Sequence, residues 1–174
     1  MEFMLKYYKI NYYLKGGIIM PKEKGLKIGE LAPDFSLKDQ EEKEFKLSDF
    51  RGQKVLLSFH PLAWTSVCAK QMQTLEENYA RFLELNVIPI GISVDPVPSK
   101  KAWAESLGIK KLRILSDFWP HGEVAKKYNI FIEEYGFSER ANVIVDEDGE
   151  IIFFKIYPIR ELPDIEEIFL FLKD

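Results

Sequence analysis

The stretch Lys54-Val55-Leu56-Leu57-Ser58-Phe59-His60-Pro61-Leu62-Ala63-Trp64-Thr65-Ser66-Val67-Cys68 decides the fold. Its first six residues form a dense apolar run that reads as a strand buried on both faces. Pro61 breaks the run, and Thr65 is a residue type that opens helices. The helix is expected to continue to about Leu85, with Leu75, Tyr79, Phe82 and Leu83 as its apolar stripe. The stretch therefore reads as strand, turn, helix, with Cys68 at the third helical position. In open parallel sheets, sites form at the carboxyl ends of strands, and Cys68 follows such an end.

Outward from this unit the pattern repeats. Asn86–Val94 is a second buried strand, with Pro89 as an irregularity because proline donates nothing to a ladder. Ser99 is read as the cap of a helix that Gly108 stops. Leu112–Leu115 is strand-like, and Gly122–Tyr128 is a short helix. Upstream, Phe35–Leu37 and Glu44–Leu47 flank a polar turn and read as a hairpin. Downstream, Ala141–Val145 and Ile151–Ile156 flank Asp146-Glu147-Asp148-Gly149, an Asp-Gly hairpin signal. A helix starting at Pro163 carries Ile165, Ile168, Phe169 and Leu172 on one face. Strands alternating with helices imply a mostly parallel central sheet in an α/β/α sandwich, and the late hairpin adds antiparallel strands.

Composition narrows the chemistry. The 174 residues carry 24 Lys+Arg against 28 Asp+Glu, with 47% hydrophobic residues and one cysteine. That supports one domain with a full core. One cysteine rules out a disulfide within the monomer, a Cys-X-X-Cys centre and an all-cysteine zinc site. The net charge of -4 gives no basic face for nucleic acid. No apolar run is long enough to span a membrane, and Met1–Met20 lacks the pattern of a secretory signal. The expected location is a reducing cytoplasm, where a lone thiol stays free.

Residues 1–20 are read as an N-terminal extension and 21–174 as the domain. The extension, aromatic and basic, is either an appendage before a start near Met20 or an arm with a strand over Ile10–Leu14.

A lone cysteine is more often a small buried hydrophobe than a nucleophile. The surroundings of Cys68 favour the nucleophile. A helix start offers unpaired N–H groups and a favourable dipole, which stabilise a thiolate. Pro61 stiffens the preceding turn and can shield the sulfur from water.

These residues resemble the peroxiredoxins, the alkyl hydroperoxide reductase and thiol-specific antioxidant family. Pro61, Thr65 and Cys68 match its Pro-x-x-x-Thr-x-x-Cys signature. Ala32-Pro33-Asp34-Phe35, Leu47-Ser48-Asp49-Phe50-Arg51-Gly52, Gly91-Ile92-Ser93-Val94-Asp95 and Arg140 ahead of a hairpin are similar to further family elements, in the same order. The resemblance implies a thioredoxin-like fold with a mixed central sheet and an N-terminal hairpin. It also implies a thiol-dependent peroxidase acting on hydrogen peroxide and organic hydroperoxides through a Cys68 sulfenic acid.

By the same resemblance, Thr65 would hold thiolate and peroxide by its hydroxyl, Arg140 would activate both, and Pro61 would limit solvent. His60, Trp64, Val67 and Gln71 would belong to the substrate pocket. Gln71 departs from the glutamate that many members carry. With no second cysteine, the reductant would be an external thiol: thioredoxin-like, glutaredoxin-like or a small thiol. No cofactor or metal is implied, and a homodimer is expected. The competing reading is a peroxide sensor or redox relay that passes oxidation from Cys68 to a partner.

Overall fold

A computed structural model describes residues 12–15, 18–21 and 24–173, the first two stretches by backbone alone. Strands β1 (Tyr12–Lys15) and β2 (Ile18–Pro21) pair antiparallel, with Tyr12 opposite Pro21. Ile10 and Asn11 of the expected arm lie outside the described residues.

The main sheet has seven strands. They are β3 (Ser36–Lys38), β4 (Glu44–Lys46), β5 (Lys54–Phe59), β6 (Val87–Ser93), β7 (Arg113–Ser116), β10 (Arg140–Val145) and β11 (Ile151–Tyr157), in the spatial order β11-β10-β5-β6-β7-β3-β4. The central strands β5, β6 and β7 are parallel. On one side β10 runs antiparallel to β5 and pairs with β11. On the other, β3 runs antiparallel to β7 and forms a hairpin with β4. A small antiparallel pair, β8 (Phe131–Ile132) and β9 (Phe137–Ser138), stands apart. The mixed α/β sandwich expected from the alternation is present.

Alternation along the strands sorts the core into two layers. Leu56, Ile114 and Ile144 face one side with residues of α1 (Ser66–Glu77), α2 (Tyr79–Glu84), α3 (Val97–Leu107) and α5 (Ile165–Lys173). Val55, Leu57, Val143 and Val145 face the other, under α4 (Glu123–Lys127) and the segment from Ala32 to Leu47. Leu56 and Leu57 are both 0% exposed, which identifies β5 as buried on both faces. Each such leucine contributes about 1.5–3 kcal/mol of burial.

Three local details differ from the sequence expectation. The helix expected from Thr65 to Leu85 is two helices, broken at Asn78, whose side chain donates back to the Thr74 carbonyl at 2.9 Å. Such a local bond competes with helix propagation. Second, α3 begins at Val97 with Pro96 as its cap, so Ser99 lies inside the first turn. Third, the β8–β9 pair was not read from the sequence, because two-residue strands carry no periodic signal. Pro89 is accommodated because the β6–β7 ladder starts only at Ile90 opposite Arg113, leaving residue 89 paired with β5 alone.

Both hairpin turns of the main sheet, β3–β4 and β10–β11, are built by aspartate. Asp39 Oδ1 accepts from the amides of Glu41 and Lys43, at 2.9 and 3.0 Å. Asp146 Oδ1 accepts from those of Asp148 and Glu150, at 3.0 and 2.8 Å. Gly149 completes the second turn at φ +87°, where a Cβ would also strike the Arg51 guanidinium.

Candidate active site

Strand β5 ends at Phe59 and helix α1 begins at Ser66. The first helical hydrogen bond runs from Ala69 N–H to Thr65 C=O at 2.9 Å. The amides of Ser66, Val67 and Cys68 therefore precede the ladder, and Cys68 is the third helical residue as expected. Its side chain is 1% exposed.

Arg140 opens β10, one residue before Ala141 pairs with Phe59, so it stands beside the end of β5. Sheet register thus brings it to Cys68 from 72 positions away. Its Nη2 donates to Cys68 Sγ at 3.4 Å. Nε and Nη2 also donate to the Ile159 carbonyl at 3.1 and 2.7 Å, and Nη1 donates to Gln71 Oε1.

Gln71 Nε2 donates to Ser58 Oγ at 2.7 Å, and Ser58 Oγ donates to Asn142 Oδ1 at 2.8 Å. The guanidinium is 1% exposed and is oriented wholly by neutral acceptors and the sulfur. Among the described residues no carboxylate pairs with it. Its neighbour Glu139 pairs with Lys24, and Glu147 pairs with Lys54 at 2.7 Å. A buried cation without a carboxylate partner is electrostatically strong, because little else screens it. Its field falls on the sulfur.

Thr65 is the N-cap by backbone geometry, with φ -105° and ψ 146°. Its hydroxyl does not cap the helix; it donates to the Leu62 carbonyl at 3.0 Å. A hydroxyl has one proton to give. In this arrangement Thr65 closes the turn, and the bond to sulfur comes from Arg140.

A cavity of about 240 Å³ opens at Cys68, lined by Pro61, Thr65, Val67, Cys68 and Arg140 of the expected set. Leu62, Ser66, Phe137, Ile159 and Arg160 complete it and were not singled out in the sequence. Phe137 lies in β9 and Ile159 and Arg160 in the segment after β11, and the convergence of these distant segments on the turn has no linear signature. Apolar side chains dominate this lining, with Arg160 as a second cation.

Three residues expected in the pocket do not line it. Gln71 is buried behind Arg140, at 3% exposure. Trp64 points to the surface, 58% exposed, and its Nε1 donates to Ser99 Oγ at 3.0 Å. His60 is 0% exposed, with its ring 5.4 Å from that of Trp103 and no hydrogen-bond partner on either nitrogen among the described residues. Burial, with the Lys100 and Arg140 cations adding to it, holds its pKa well below the usual histidine value. The imidazole is therefore neutral, packed as part of the wall beneath the turn.

No His, Cys, Asp and Glu grouping suited to a metal ion occurs among the described residues, and none of their helices is long and apolar enough to cross a membrane.

The chain has counterparts among known proteins. The sequence model of the AhpC/TSA family matches residues 28–154. Alkyl hydroperoxide reductase E of Mycobacterium tuberculosis is 39% identical over 140 residues, covering 80% of this chain and 91% of that protein. The putative peroxiredoxin ycf42 of Porphyra purpurea is 34% identical over 151 residues, 82% of this chain and 74% of that protein. The crystal structure of reduced Plasmodium vivax 2-Cys peroxiredoxin superposes with a TM-score of 0.78 at 28% identity, covering 84% of this chain and 80% of that one. With its thioredoxin-like sandwich and its cysteine at the start of α1, this chain belongs to the AhpC/TSA family, the peroxiredoxins.

Proposed function

We propose that the chain is a thiol-dependent peroxidase of the one-cysteine type, with Cys68 as the peroxidatic nucleophile. The observation that carries this reading is the 3.4 Å contact from Arg140 Nη2 to Cys68 Sγ at the floor of an open cavity. Membership of the peroxiredoxins supplies the peroxide substrate and the thiol reductant as classes.

The chemistry balances on this site. The Cys68 thiolate attacks one peroxide oxygen, an S–O bond forms and the O–O bond breaks. The electron pair leaves on the distal oxygen, which takes a proton to become water or an alcohol. Negative charge moves from sulfur to oxygen, so a fixed guanidinium and unpaired helix-start amides beside the sulfur act on the transition state. Cys68 becomes a sulfenic acid. No second cysteine exists in these 174 residues, so an external thiol attacks the sulfur and releases water, and a further thiol restores Cys68 as the external pair becomes a disulfide. The apolar lining from Leu62, Val67, Phe137 and Ile159 supports organic hydroperoxides alongside hydrogen peroxide.

The proposal places the enzyme in the cytoplasm as a homodimer. Exposed aromatics near the cavity support the dimer. Phe137, which lines it, stacks on Tyr135, itself 49% exposed.

The test is steady-state consumption of hydrogen peroxide and an alkyl hydroperoxide with dithiothreitol or a thioredoxin system. Repeated turnover is expected. A single stoichiometric oxidation of Cys68 would favour the sensor or relay.

A further inference from the structure

Lys100 lies in the first turn of α3 and is 0% exposed. Burying an ammonium is unfavourable unless it is hydrogen-bonded, and among the described residues none of the ion pairs includes it. Its Nζ donates to Ser93 Oγ at 2.6 Å. Ser93 Oγ donates to Asp95 Oδ2 at 2.6 Å, and the same Oδ2 accepts from the Ala63 amide at 2.9 Å. A polar chain thus runs from the buried amine to the turn between Pro61 and Thr65.

That turn needs holding. Trp64 sits at φ +64°, a left-handed conformation that is strained for a bulky residue. Its two anchors are the Ala63–Asp95 bond and the Trp64–Ser99 bond, and both lead to the segment around the start of α3.

The charged and titratable groups facing Lys100 are Asp95 after β6, Asp117 after β7, Cys68 on α1 and His60 after β5. Asp117 is already engaged by the Val124 and Ala125 amides, each at 3.0 Å. Burial brings the Lys100 pKa down to about 7, against the opposing pull of Asp95, Asp117 and Cys68.

We propose that Lys100 is a positioning residue for the reaction at Cys68: its ammonium, donating to Ser93 and through it to Asp95, fixes the strained Ala63–Trp64 turn. This rests on the reading of Cys68 as the nucleophile. The second-order rate of Cys68 oxidation by hydrogen peroxide is measured from pH 5.5 to 9 for the wild type, Lys100→Met and Ser93→Ala. The wild-type to Lys100→Met rate ratio is expected to be largest below pH 7 and to shrink as pH rises through it. A merely structural lysine gives a ratio that does not change with pH, and that result overturns the proposal. Ser93→Ala keeps the amine but cuts the link, so oxidation is expected to slow by about threefold to tenfold, the range set by one lost hydrogen bond. A folded Ser93→Ala at the wild-type rate also overturns it.

If Lys100→Met does not fold, the Ser93→Ala rate decides: slowed oxidation in the folded variant supports the proposal, and the wild-type rate overturns it. Peroxide consumption surviving in Cys68→Ser would instead sink the nucleophile assignment beneath the proposal.

Discussion

Arg140 donates from Nη2 to Cys68 Sγ at 3.4 Å and has no carboxylate partner among the described residues. Its other donors meet Gln71 Oε1 and the Ile159 carbonyl, both neutral. A glutamate at position 71 would offset the arginine charge. Glutamine orients the guanidinium and leaves its charge for the sulfur and the peroxide. The departure at Gln71 therefore changes the electrostatics of the site while keeping its geometry.

Replacing Cys68 by serine is expected to abolish peroxide consumption and labelling by dimedone after peroxide treatment. Serine is nearly isosteric, so thermal unfolding should stay close to wild type. Activity that survives in the serine variant would mean that another group performs the chemistry.

Arg140→Ala is expected to slow Cys68 oxidation by about a hundredfold or more, the scale for removing one preorganised donor from a developing negative charge. Arg140→Lys keeps a charge but loses the fork that spans Gln71, Ile159 and the sulfur, so it should recover only part of the rate. Stopped-flow oxidation of the three proteins at pH 7 checks the order.

Gln71→Leu removes an acceptor from Arg140 and a donor from Ser58 while keeping side-chain volume. Leaving buried partners unsatisfied is expected to cost on the order of 2 kcal/mol in stability, together with slower oxidation from a loosened guanidinium. Urea unfolding and the oxidation rate, measured on the same preparation, test both. An unchanged unfolding midpoint would show that the Ser58–Gln71–Arg140 relay adds nothing to stability.

The two buried bases act in the same sense on the pH dependence of stability, each in its own window. The His60 pKa is lowered, so the unfolded chain binds its proton more readily, and stability should fall as pH drops below about 6.5, the ordinary histidine value. Lys100 is lowered from 10.5 to about 7, so the cost of its burial is fully present below pH 7 and is relieved as pH rises toward 10.5. The difference in unfolding free energy between wild type and Lys100→Met should therefore shift in favour of the wild type across that window, by up to about 1.4 kcal/mol per pH unit. Denaturant unfolding at pH 6, 7.5 and 9 measures it. A difference that stays flat with pH would mean that Lys100 titrates near its ordinary value.

Gly91 packs its Cα face under α1, where an added Cβ would lie 2.4 Å from Met72 Sδ. Met72 is itself 0% exposed. Gly91→Ala is expected to destabilise by about 1–3 kcal/mol through overpacking, and Met72→Ala in the same chain should offset part of that loss. Thermal melts of the two single variants and the double variant test the coupling.

The strand-turn-helix unit from Lys54 to Cys68 was legible because each of its signals is local. A run of β-prone apolar residues, a proline and a threonine each constrain their own backbone, and together they put Cys68 at the third position of a helix. The alternation beyond it was enough for the sandwich, and the family motifs were enough to single out Arg140. Only the tertiary structure decided what surrounds the sulfur. Whether Arg140 meets a carboxylate or an amide, that Thr65 spends its proton on Leu62, and that His60 is sealed in neutral while Trp64 turns outward all depend on contacts between distant segments. So does the burial of Lys100 behind the turn, since a lysine's charge shows in sequence but its desolvation exists only once the strands and α3 have packed around it.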